Sequence, residues 1–317
     1  MITMSLTMLT GCGNKENGTA NKEDTNVVNI AIQPSAAFIP LFVAREKGWI
    51  EEALEAQGVM VVWNDFESGP PMNESLAAGT SDIGVMGDVP CVSAIAAGQK
   101  NEIVAMGAIG PASYALLAGA DSDINSPADL AGKIVGTTVG STGHNLTDKL
   151  LAQNGLDINK DIQLANISTG DAATVLSTGE VDAVALWEPN ITRLVEDGTA
   201  KIIGEGTQCG LRGVNPIIAR ADYAQEHPEV IKVIIEQYAR AVAELSDLDE
   251  STTQAVARQL SIEPQQLSRI IGKYEYTVTI TQEDIASFQD TIDFLVKIGN
   301  LEEAYDISEY VKTSYLE

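Results

Sequence analysis

The sequence predicts an α/β protein built as two lobes of similar construction. Three observations carry this. Short apolar runs alternate with longer amphipathic stretches from Val27 onward. The 317 residues suffice for two domains of roughly 150 residues each. One short motif also recurs: Gly79-Thr80-Ser81-Asp82-Ile83 is echoed by Gly179-Glu180-Val181-Asp182-Ala183, and each copy runs through an apolar strand to an acid and a proline, Asp88 with Pro90 and Glu188 with Pro189.

The elements follow in order. Residues 28–32 read as a strand, 33–37 as a loop, and 38–47 as a helix stopped by Gly48. A strand over 59–66, a helix over 72–78 ending at Gly79, a strand over 83–86, a helix from Pro90 to Gly98 and a strand over 102–108 complete the first series. The second opens with a strand at 114–118. Ser126-Pro127-Ala128-Asp129 is a helix start, with Ser as cap and Pro in the first helical position. Residues 133–139 read as a strand, and Gly140-Ser141-Thr142-Gly143 leads into a helix over 144–154. Asp171 caps a short helix ending at Gly179, a strand follows over 181–186, and Trp187-Glu188-Pro189 forms its exit loop. A helix to about 196 and a strand over 200–204 close the series. After Ile218 the pattern turns helical, over 228–245, 252–260, 264–273, 283–298 and 301–311. These helices cannot form a core alone, so they are expected to pack back on the first lobe. The expected division is 27–112 plus 210–317 for lobe 1 and 113–209 for lobe 2.

Composition narrows the function. Lys and Arg number 19 against 45 Asp and Glu, a net charge of −26. Such a surface repels phosphate backbones and anionic headgroups, which argues against nucleic-acid binding. Three Cys without C-x-x-C spacing and two His argue against a zinc module or disulfide scaffold, so no metal or cofactor is expected. No apolar run approaches the ~20 residues that span a bilayer.

Ligands of open α/β sheets bind outside the carboxyl ends of the strands, which directs attention to loops 33–37, 68–71, 87–90, 140–143 and 187–189. None contains Lys, Arg or Cys, and no nucleophile elbow, Walker loop or Gly-x-Gly-x-x-Gly is present. These loops can hold a ligand but lack an obvious reagent to transform it. Gly140-Ser141-Thr142 is the sharpest candidate, because backbone N–H groups and hydroxyls converge there at a helix start that favours negative charge. Ser141 or Thr142 acting only as an N-cap is the commoner use of such residues. Asp88 and Glu188 read either as capping partners or as receivers of a zwitterion's ammonium. Trp187 reads as core or as a cover over the ligand. His144 falls on the first helical turn, facing ligand or solvent. Arg212, between Gly210 and Gly213 in a lobe-to-lobe crossing, reads as an anion partner or an interlobe salt-bridge residue.

The amino terminus resembles a bacterial lipoprotein signal. Residues 1–11 carry no charge and end in Leu9-Thr10-Gly11 before Cys12, the implied site of lipidation, and a polar tether follows over 13–26. No Lys or Arg precedes Cys12 and the apolar stretch is short, so the segment reads as a truncated signal. Cys91 and Cys209 remain, and the sequence leaves their pairing open.

The whole chain from Val27 to Val311 resembles a substrate-binding protein of an ABC importer, of the nitrate/sulfonate/taurine group. The carriers are Pro40-Leu41-Phe42-Val43-Ala44-Arg45-Glu46-Lys47-Gly48, Phe66-Glu67-Ser68-Gly69-Pro70, Ala77-Ala78-Gly79-Thr80-Ser81-Asp82-Ile83-Gly84, Gly87-Asp88-Val89-Pro90, Asp129-Leu130-Ala131-Gly132-Lys133-Ile134-Val135-Gly136, Gly140-Ser141-Thr142-Gly143-His144, Val181-Asp182-Ala183, Trp187-Glu188-Pro189 and His227-Pro228-Glu229. Each is weak alone; their order and spacing are specific. The resemblance implies the type II periplasmic-binding-protein fold, two α/β lobes joined by two crossings, with ligand in a cleft that closes by hinge motion. It implies contacts from Gln33, Ser68, Gly69, Asp88, Ser141, Thr142 and Trp187, with Glu188 adjacent. It further implies an exported, lipid-anchored, monomeric receptor that binds a small anionic or zwitterionic ligand, an aliphatic sulfonate or taurine first and a nitrate-like ion next, for a permease and its ATPase. The rival is a same-fold enzyme making a thiamine-pyrimidine or menaquinone precursor. A receptor diverted to sensing is a third reading.

Overall fold

A computed structural model describes residues 26–316; Cys12 and the part of the tether before residue 26 lie outside them. The chain runs β1 (Asn26–Ile32), α1 (Ile39–Glu46), α2 (Trp49–Glu55), β2 (Val59–Asp65), α3 (Gly69–Ala77), β3 (Ile83–Val85), α4 (Asp88–Ala96) and β4 (Asn101–Ile109). It then crosses to a second sheet with β5 (Tyr114–Gly119), β6 (Ile134–Thr137), α5 (Thr142–Gln153), β7 (Gln163–Asn166), α6 (Ala172–Ser177), β8 (Ala183–Trp187), α7 (Asn190–Glu196) and β9 (Ala200–Glu205). It returns with β10 (Val214–Arg220), α8 (Ala221–Glu226), α9 (Pro228–Glu244), α10 (Glu250–Gln259), α11 (Pro264–Ile271), β11 (Glu275–Tyr276) and α12 (Gln282–Lys297).

The first sheet has the order β11-β4-β10-β3-β1-β2 and the second β7-β6-β8-β5-β9. In each, the first strand after a crossing is the one that runs antiparallel between its neighbours: β5 between β8 and β9, β10 between β3 and β4. β1 with β2 and β3, and β6 with β7 and β8, are parallel, and the two-residue β11 adds an antiparallel edge to β4. Parallel strands are buried on both faces, so β1 alternates between two cores. Val28, Ile30 and Ile32 face α1, α2 and α9–α11, whereas Ala31 faces α3, α4 and α12. The C-terminal helices thus complete the first lobe. The second lobe is covered by α5 on one face and by α6 and α7 on the other. Cys91 and Cys209 belong to different cores and are free thiols.

The recurring motif proves to be a structural clamp. Asp82 Oδ2 accepts the backbone N–H of Asn29 at 2.8 Å while its own N–H donates to the Asn29 carbonyl at 2.8 Å. Asp182 does the same to Ile134, at 2.8 Å in both directions. Each acid therefore locks the strand after it to its parallel neighbour, β3 to β1 and β8 to β6. Asp182→Ala leaves the Ile134 N–H without an acceptor and is expected to destabilise by about 1–2 kcal/mol; an unchanged urea midpoint would refute the clamp.

Several elements differ from expectation. A helix, α2, follows Gly48 at once, because Gly48 at φ 68° ends α1 and opens α2 within one residue. Ser126 opens a 3-10 turn, Pro127–Leu130, and no α-helix. Strands β7, β10 and β11 and the short helix α8 form where none was expected. Residues 301–311 form no α-helix; after an irregular run they make a 3-10 turn, Ile307–Tyr310. Their apolar side chains instead spread over the core beneath α12, and Val311 bridges Ile103 of β4.

Candidate functional site

The carboxyl ends of β1, β3, β6 and β8 face one another across the gap between the sheets, where a small cavity lies. Lobe 1 contributes Gln33 and Ser35 after β1, Phe38, Gly69 at the start of α3, Gly87 and Pro90 at the start of α4, and Asn215. Lobe 2 contributes Tyr114, Ser141, Thr142 and Trp187. Helices α3, α4 and α5 thus all point their N-termini at the same space, and their dipoles favour an anion there. No Lys, Arg or His lines it.

Ser141 occupies the N-cap place of α5, yet its hydroxyl caps nothing. It is 5% exposed and its Oγ has no hydrogen-bond partner. The N–H groups of Thr142 and Gly143, at the open start of the helix, have no acceptor among the described residues either. A buried hydroxyl and two amides without partners, together at the start of one helix, form a donor set for oxygens.

The lobes are closed on this space, which measures about 20 Å³, room for a water-sized occupant. Thr142 Oγ1 donates to Asp88 Oδ1 across the cleft at 2.6 Å, Ala36 N–H donates to the Glu188 carbonyl at 3.1 Å, and Tyr114 donates to Asn215 Oδ1 at 3.0 Å. Ion pairs link lobe 2 to the C-terminal helices: Lys297 with both oxygens of Asp148 at 2.7 Å, Lys149 with Asp290 at 2.6 Å, Lys273 with Glu188 and Arg269 with Glu196. A ligand larger than water enters only when the lobes part.

Of the residues singled out from sequence, Gln33, Gly69, Ser141, Thr142 and Trp187 line the cavity. Ser68 is buried just before α3, and Gly140, at φ 81°, turns the chain into the donor set. Asp88 lies one layer beneath, reached through Thr142. Three assignments need correction. Arg212 points away from the cleft and pairs with Asp284 at 2.7 Å and Glu283 at 3.0 Å. His144 packs edge-on against Phe294 of α12, ring centroids 5.3 Å apart, and burial lowers its pKa. The Glu188 side chain turns to Lys273 and to Thr192 N–H at 3.1 Å, so only its backbone serves the cleft. Phe38, Tyr114 and Asn215 were not anticipated. Tyr114 and Asn215 open the strands after the two crossings, and nothing local in their sequence marks them.

The fold is that of a type II periplasmic binding protein, two α/β lobes joined by two crossings with a cleft between them. The chain belongs to the NMT1/THI5-like family, whose profile matches residues 35–248. At 27% identity over 310 residues, 98% of this chain and 92% of the other, it is similar to a Bacillus subtilis (strain 168) protein named as an aliphatic sulfonates-binding protein. It is 27% identical over 208 residues, 65% of this chain and 62% of the other, to the taurine-binding periplasmic protein of Escherichia coli (strain K12). It superposes on the alkanesulfonate-binding protein SsuA from Xanthomonas axonopodis pv. citri, bound to MOPS, with a TM-score of 0.82 at 25% identity, covering 91% of this chain and 98% of that one. The desulfurization enzyme DszB shares the fold, with a TM-score of 0.68 at 14% identity over 92% of this chain and 97% of that one, so fold alone does not separate binding from catalysis. Among the described residues no cluster of His, Cys, Asp and Glu is placed to hold a metal, and no helix is long and apolar enough to cross a membrane.

Proposed function

We propose that this protein is the extracytoplasmic receptor of an ABC importer for small organic sulfonates, which it captures between its lobes and delivers unchanged to a permease and ATPase. The observation that carries this is the unpartnered Ser141 hydroxyl set beside the free amides of Thr142 and Gly143. A sulfonate offers several oxygens to such donors, and local N–H groups act at contact range while the −26 surface is screened over ~8–10 Å. Trp187, Phe38 and Pro90 supply apolar walls for the organic part. Binding without chemistry is supported by the surroundings of the candidate nucleophiles. No base hydrogen-bonds Ser141, and burial pushes the Cys91 thiol far above its ordinary pKa. Cys12 is the proposed lipid anchor, with the receptor working as a monomer.

Calorimetry with methanesulfonate, propanesulfonate, taurine and nitrate tests the reading. Sulfonates are expected to bind, and Ser141→Ala to weaken them roughly 10- to 100-fold by removing one hydrogen bond to a charged group. Mass spectrometry is expected to recover the ligand intact. No heat with any sulfonate, or a chemically altered product, overturns the proposal.

A further inference from the structure

Six carboxylates are buried among the described residues: Asp82, Asp88, Glu102, Asp148, Glu188 and Asp284. Four have a cationic partner: Arg220, Lys297, Lys273 and Arg212 in turn hold Asp82, Asp148, Glu188 and Asp284. Glu102 is held by Gln225 and Tyr315 on the far edge of the first sheet. Asp88 alone stands at the cleft. It is 1% exposed and holds the first position of α4, immediately after the cavity-lining Gly87.

Three donors serve it, all neutral: the Thr142 hydroxyl from α5 at 2.6 Å, the Thr291 hydroxyl from α12 at 2.7 Å and the Val89 N–H at 2.8 Å. The charged group that acts on it from α12 is another acid, Asp290, itself engaged with Lys149; on its own helix its neighbour is the thiol of Cys91. Burial, outweighing the three hydrogen bonds, holds its carboxyl above the usual carboxylate range, as expected of an acid short of a positive neighbour.

A buried, uncompensated acid one layer beneath the wall of an anion site, behind Thr142, costs stability and repels a simple anion. The arrangement is productive if the ligand brings its own cation. We infer that Asp88 is a specificity residue that receives the ammonium of a zwitterionic ligand, selecting aminosulfonates over plain alkanesulfonates. This rests on the sulfonate-receptor reading above and deepens it. Asp88 belongs to lobe 1 and Thr142 to lobe 2, so opening of the lobes withdraws the Thr142 hydroxyl from Asp88. In the closed arrangement that hydroxyl holds the ammonium's place. A ligand with its sulfonate on the α5 donors and its ammonium on Asp88 bridges the two lobes, and the charge-assisted bond replaces a neutral one.

The test compares taurine with 1-propanesulfonate, which replaces the ammonium with a methyl group of similar size. By calorimetry the native protein is expected to bind taurine at least roughly 30-fold more tightly, the scale of one hydrogen bond to a charged group. Asp88→Asn is expected to remove that preference, weakening taurine while leaving propanesulfonate unchanged or tighter. Equal affinity of the native protein for both ligands overturns the inference and leaves the receptor reading intact, and this comparison needs no variant. A variant that folds but weakens both ligands alike also overturns it, by showing a merely structural role. If neither sulfonate binds, the receptor reading falls and the inference with it.

Discussion

Gly87→Ala is expected to weaken ligand binding roughly 10- to 100-fold while leaving each lobe folded, the scale of forcing a methyl group into a well-packed contact. Gly87 adopts φ −66° and ψ 164°, which any residue tolerates, so no backbone strain accompanies the change. The obstacle is steric: a Cβ at Gly87 would overlap Thr142 Oγ1 of the opposite lobe. The added methyl therefore wedges the jaws apart where the start of α4 meets the start of α5. Small-angle scattering should show a larger radius of gyration with ligand present than the native protein gives, and calorimetry should show the lost affinity. An unchanged dissociation constant would mean that closure does not bring Gly87 and Thr142 together in the complex.

The second large effect is expected at Lys273. Glu188 is fully buried, with Thr192 N–H at 3.1 Å and Thr192 Oγ1 at 3.0 Å beside the Lys273 ammonium. Lys273→Met removes the cation and leaves the carboxylate uncompensated. Breaking such a pair costs about 3 kcal/mol, the lower end of the range for buried pairs, because the lysine side chain keeps partial exposure. At ~2.1 cal/mol/K of unfolding entropy per residue, the melting temperature of this 317-residue chain should fall by roughly 4–6 °C. Adding Glu188→Gln to Lys273→Met should restore a large part of that loss, since it removes the stranded charge. The two thermal melts by circular dichroism decide the matter: a double variant no more stable than the single one contradicts the pairing argument.

Much of this architecture is legible in the sequence because its signals are local. Apolar runs bounded by glycines give most strands and helices, and Gly140-Ser141-Thr142 announces a helix start at a strand exit. What escaped depends on partners distant in the chain. β10 contains Pro216, which argues against a central strand, yet it pairs on both sides because register irregularities at Asn215/Pro216 and Ile217/Ile218 accommodate the missing donor. β7 is short, pairs only with β6 and is mostly solvent-facing, so it lacks an apolar pattern. Residues 301–311 carry helix-like spacing, but Leu301, Tyr305, Ile307 and Tyr310 are spent covering the core beside α12. At the cleft, loop composition pointed to the donors Ser141 and Thr142 but not to Tyr114 or Asn215, which meet only because the two crossings run side by side. Arg212 had the right charge in the right crossing; the acids at the start of α12 claim it.

Both ends of the described chain rest on one lobe. β1 opens at Asn26 between β2 and β3, while Val311 bridges β4 and Tyr315 reaches Glu102. The other lobe hangs from two short crossings and owns neither end of the described chain. A molecule tethered by either end to a bead or sensor chip therefore keeps lobe 1 fixed and swings lobe 2 as its single moving jaw. Dyes attached near Asn26 and Tyr315 will stay dark to capture; one fluorophore has to ride on lobe 2 for solute arrival to be seen.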